Sequence, residues 1–131
     1  MKNKIISLIL VIIWMVIIFI LSSFDATSSS GQSGIIVNFI SSVTNIDNLS
    51  LLSKIVRKLA HFTEYFILGL LVYNLIKNYN KKTYIAIIIC ILYAVSDELH
   101  QILVPGRSCQ ILDIIIDSLG SMLGIFTLRN I

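Results

Sequence analysis

Ile5 to Leu21 run without a single charge, behind Lys2 and Lys4, and three further stretches of similar apolar length follow. Crossing the hydrocarbon core of a bilayer takes about 20 mostly apolar helical residues. A backbone in lipid must also satisfy its own hydrogen bonds, so such runs restrict the chain to an all-α integral membrane bundle. Composition agrees: 56% of the 131 residues are hydrophobic and 13% charged, with mean hydropathy +0.92. Soluble domains carry about 25% charged residues. The length suits one domain, residues 1–131.

The formal charge of +3 and pI near 9.0 would suggest nucleic acid in a soluble protein. In a membrane protein they report topology and contact with anionic head groups. No basic stripe interleaved with aromatics is present, so a nucleic-acid partner is excluded. Cys90 lies inside an apolar run and Cys109 in a loop beyond it. About 20 Å of helix rise separates them, which argues against a disulfide.

The spacing predicts four spans, at about residues 5–22, 59–76, 83–103 and 111–128. A cleaved signal peptide is the rival reading of the first, because Ala26-Thr27-Ser28 resembles a cleavage site. Its apolar core is longer than the roughly 7–15 residues of secretory signals, which favours a retained helix. Phe24 to Ser50 is rich in Ser, Thr, Asn, Asp and Gly and reads as a loop. Within it Ile35, Ile36, Phe39, Ile40 and Val43 recur at helical spacing, predicting a short amphipathic helix on the membrane surface. A long helix is predicted to start near Asn48 or Ser50, both suitable caps. Asn78 to Lys82 and Pro105-Gly106 read as turns. No internal repeat of the transporter kind is visible.

With the N-terminus in the cytoplasm, the inner side carries Lys2, Lys4, Lys77, Lys81, Lys82 and Arg129. The outer side then carries Lys54, Arg57, Lys58 and Arg107. This bias predicts cytoplasmic termini in the cell membrane. Glu64, Asp97 and Asp117 would each lie about 8–9 Å below the outer boundary. The helical faces group Arg57, His61, Glu64 and Leu68; Tyr93, Ser96, Asp97, His100 and Gln101; and Asp113, Asp117, Gly120 and Gly124. Charged groups in hydrocarbon are costly unless they face protein or water. These stripes are therefore expected to face one another as a polar cup open to the outside, joined by Tyr65 and Glu98. Gly120 and Gly124 have the spacing that allows close helix approach.

The segments Arg57-Lys58-Leu59-Ala60-His61-Phe62-Thr63-Glu64-Tyr65, Ser96-Asp97-Glu98-Leu99-His100-Gln101, Pro105-Gly106-Arg107-Ser108 and Asp113-Ile114-Ile115-Ile116-Asp117-Ser118-Leu119-Gly120 resemble the VanZ-like family in order and spacing. Ser22-Ser23 and Ser30-Gly31-Gln32-Ser33 resemble its pattern after the first helix. The chain departs at Cys109, where small residues such as glycine are usual. The resemblance implies an envelope protein of a family associated with low-level resistance to teicoplanin and having no settled biochemical activity.

Three readings of the polar layer stand. It is a structural network that pins helix register, since acids and bases nearly cancel. Or it binds the head group of a membrane lipid or a lipid-linked cell-wall precursor, with Arg57, Lys58 and Arg107 clamping a phosphate. Or it is an enzyme, in which His61 or His100 acts as a base oriented by a carboxylate. His61 with Glu64 and Asp97 with His100 are i, i+3 pairs of the kind carboxylate-bridged metal bundles use. One pair runs in reverse order and nearby bases compete with a cation, so no metal or cofactor is expected. Ser96 with His100 lacks an identifiable oxyanion hole for a serine hydrolase. The head-group reading is preferred.

Overall fold

The computed structural model describes residues 2–23, 34–35, 37–43, 49–106 and 109–131. Among them every regular element is an α-helix: α1 (Lys2–Ser23), α2 (residues 37–43), α3 (Leu49–Ile76), α4 (Lys82–Gln101) and α5 (Ile111–Arg129). Helices α1, α3, α4 and α5 are each long and apolar enough to cross a membrane. Large hydrophobic side chains cover their outer surfaces, from Ile5, Ile12 and Phe19 on α1 to Leu92 on α4 and Leu119 on α5. A water-soluble monomer does not carry so continuous an apolar exterior.

The long helix begins at Leu49, as expected near Asn48 or Ser50. It thus starts about three turns before the predicted entry at Leu59. That overhang carries Lys54, Arg57 and Lys58. Helix α4 ends at Gln101, short of the predicted Leu103. Leu103 N–H donates to His100 O and Val104 N–H to Gln101 O, while Val104 tucks inward and Pro105 offers no N–H to continue the helix. Gly106 follows at φ 75°, a left-handed conformation that suits glycine. Ile35, just before α2, and Phe39 and Val43 within it turn outward, and Val37 turns inward; Ile36 lies outside the described residues. An outward apolar face is what a surface-lying helix presents to lipid.

The centre of the bundle is α3 packed along α5, with α4 beside both and α1 across α3 and α4. Three glycines make the α3–α5 approach possible. A Cβ on Gly120 would stand 2.5 Å from the Phe62 carbonyl oxygen, one on Gly124 would overlap the Phe66 carbonyl, and one on Gly69 would overlap that of Ser121. The expected close approach at Gly120 and Gly124 is therefore present, with Gly69 as its counterpart on α3. On α4 the inward stripe is small, Ala86, Cys90 and Ala94. Helix α1 buries only Val11, Ile18 and Ser22 among its described side chains. It is also tied by Trp14 Nε1–H donating to Glu64 O (2.9 Å) and by the Tyr93 hydroxyl donating to Met15 O (2.6 Å).

Candidate functional site

The inward stripes of α4 and α5 change character along their length. Ala86, Cys90 and Ala94 lead into Asp97, Glu98 and Gln101, while Ile125, Gly124, Ser121 and Gly120 lead back to Asp117 and Asp113. The close α3–α5 packing brings His61 and Tyr65 against this acidic end. All of these polar residues are buried, with Asp117, Glu98, Gln101 and Tyr65 entirely so. Where an open cup was expected, the described polar side chains at this depth are buried between the helices.

Two of the acids have a visible structural task. Glu98 Oε2 accepts the backbone N–H of Gln110 (2.9 Å), and Gln110 caps the start of α5. Asp113 lies in the first turn of α5 and forms an ion pair with Lys58. Carboxylates at a helix N-terminus interact favourably with its exposed N–H groups and dipole. Together they clip the ends of α3 and α4 to the beginning of α5.

Asp97 and Asp117 have no such task. They lie with His61 in a group whose potential ligand atoms are all within 4.8 Å of one another. His61 Nδ1 is 3.8 Å from Asp117 Oδ1. Neither carboxylate accepts a direct hydrogen bond from the described residues. Ser22, Tyr65 and Gln101 crowd Asp97 from α1, α3 and α4.

Above this layer, Lys54, Arg57, Lys58, Gln110 and Asp113 line a cavity of about 190 Å³. Three cations stand there against one carboxylate. Arg57 is also close enough to Glu98 to interact electrostatically, so the basic mouth and the acidic interior meet at that pair.

The remaining expected residues are placed differently. Ser96 is exposed and its hydroxyl donates to Tyr93 O one turn back, because on α4 it lies about 100° around the axis from Asp97. It does not share the inward stripe. His100 faces α1: its ring stacks on Phe19 with centroids 4.3 Å apart, and Nε2 lies 3.0 Å from Ser23 Oγ. Glu64 is half-buried at the edge of the group, near Tyr93 and Asp117. His61, one turn earlier, stands among the aspartates instead. Arg107 lies outside the described residues. Sequence reasoning missed Trp14 and took Ser22 only as part of the pattern after the first helix; their signal was a polar atom recurring on the Val11–Ile18 face of an otherwise apolar helix.

Searches of curated proteins and of solved structures return no significant match. The VanZ/LLP1 family model matches residues 7–131. That match spans all four long helices and both halves of the polar core, and the chain therefore belongs to the VanZ/LLP1 family of membrane proteins.

Proposed function

We propose that this protein binds the anionic head group of an envelope lipid or lipid-linked precursor at the basic mouth, and so contributes to teicoplanin tolerance. The observation that carries this reading is the cavity where Lys54, Arg57 and Lys58 converge beside one acid, Asp113. Its position at the bundle's end would leave an acyl or prenyl tail in the bilayer. Arg57 supplies paired N–H donors suited to a phosphate, and Lys54 supplies a point charge. Lys58 is steadied by Asp113.

Native mass spectrometry in nanodiscs of mixed zwitterionic and anionic phospholipid tests this. Arg57→Ala and Lys54→Ala should each release retained anionic lipid while leaving the helical content intact. Arg57→Lys should recover only part of the binding, because a point charge does not reproduce the guanidinium fork. Teicoplanin tolerance at matched protein levels should fall in the same order. Unchanged lipid retention and tolerance in all three variants would sink the reading and favour a structural network.

The proposal places both termini in the cytoplasm and the basic mouth outside. Two native cysteines check this without mutation, since Cys109 is exposed near the mouth and Cys90 is buried. A membrane-impermeant maleimide should label Cys109 on intact cells. Labelling only after permeabilisation would reverse the orientation.

A further inference from the structure

We propose that His61, Asp97 and Asp117 form a binding site for one divalent cation of the zinc–manganese class. The sequence argues against a metal by pairing residues along single helices and by counting the nearby bases against a cation. The structure changes both premises. The group is drawn from α3, α4 and α5, one residue each. Of the bases, Lys58 is engaged by Asp113, and Arg57 stands toward Glu98.

Geometry supports a ligand set. The 3.8 Å between His61 Nδ1 and Asp117 Oδ1 is long for a hydrogen bond, which spans about 2.7–3.2 Å. It is close to the roughly 3.4 Å between neighbouring ligands of a tetrahedral ion with bonds near 2.1 Å. The full group, within 4.8 Å, closes on an ion with about 1 Å of side-chain movement.

A second, independent observation points the same way. Both carboxylate oxygens of Asp117 and the amide oxygen of Gln101, on fully buried side chains, make no direct hydrogen bond among the described residues. Unsatisfied buried polar atoms are uncommon and call for a partner such as an ion or water. A divalent cation held by two carboxylates and a neutral imidazole forms a net-neutral unit, which suits burial among apolar helices. One imidazole with two carboxylates is a donor set for Zn²⁺ or Mn²⁺, and three protein ligands leave a further position on the ion.

The site is independent of the head-group reading and is tested in zwitterionic nanodiscs, where no anionic lipid is present. Full-length protein dialysed against Zn²⁺ or Mn²⁺ buffered at micromolar free concentration should retain close to one ion per chain. His61→Ala and Asp117→Asn should each weaken binding by about a hundredfold or more. Chelation should lower the unfolding temperature of the unaltered protein and leave that of Asp117→Asn unmoved. Should those variants fail to fold, Co²⁺ added to the unaltered protein should give d–d absorption bands that Zn²⁺ abolishes. Absence of retained metal and of these bands in folded protein would overturn the proposal. So would metal retention unaffected by a folded Asp117→Asn. Either result would assign the cluster to a metal-free polar network.

Discussion

Replacing Gly124 with leucine is expected to prevent the protein from accumulating in the membrane, and even Gly124→Ala should cost about 3 kcal/mol. Overpacking usually costs about 1–3 kcal/mol. The upper end applies because the atoms in the way at Gly124 are the Phe66 carbonyl and the Leu70 amide nitrogen. These are backbone atoms, and moving them displaces α3 as a whole. Gly69→Ala meets the Ser121 carbonyl from the opposite helix and should behave alike. Gly34, whose added Cβ meets nothing within 4 Å, is the control, and Gly34→Ala should change stability by less than about 0.5 kcal/mol. Unfolding in graded mixed micelles, followed by circular dichroism, measures all three. A tolerated Gly124→Leu would show that α3 and α5 do not meet at backbone contact.

The second large effect concerns the clip at the start of α5. Lys58→Met should destabilise the protein by about 2 kcal/mol. Removing one partner of a fully buried pair costs about 3–5 kcal/mol. The Lys58 side chain retains 37% exposure against 7% for Asp113, so water recovers part of the loss. The double change Lys58→Met with Asp113→Leu should regain most of the stability, because no charge is then stranded. A double-mutant cycle on the same unfolding assay reads the coupling directly. Additive single effects would mean that the two side chains do not interact.

Much of the architecture was readable because lipid imposes so narrow a choice on the backbone. Four apolar lengths pointed to the four long helices, although α3 begins well before the predicted entry at Leu59, and helical spacing alone aligned Asp113, Asp117, Gly120 and Gly124 on one inward face. Facing was harder on α4. Ser96, Asp97 and Glu98 are consecutive, and period alone cannot tell which neighbours of an inward residue also reach inward. Glu98 does so because its carboxylate accepts the Gln110 amide N–H at the start of α5. Ser96 does not, because its hydroxyl is satisfied within its own turn. The exchange of Glu64 for His61 beside the two aspartates has a similar origin. Counting depth from a predicted membrane boundary aligns residues along the axis, whereas contact also depends on rotation of α3 against α5, which the glycines set.

The indole of Trp14 has a practical consequence. It is the chain's sole tryptophan, and its N–H is donated to a carbonyl of α3 from a helix that buries few of its own side chains. Intrinsic emission is therefore an optical gauge of one joint, the seating of α1 on α3. It is blind to whether α3 and α5 remain engaged. A fluorescence transition in this protein marks the departure of its first helix, and a coincident loss of ellipticity is what distinguishes that departure from collapse of the whole bundle.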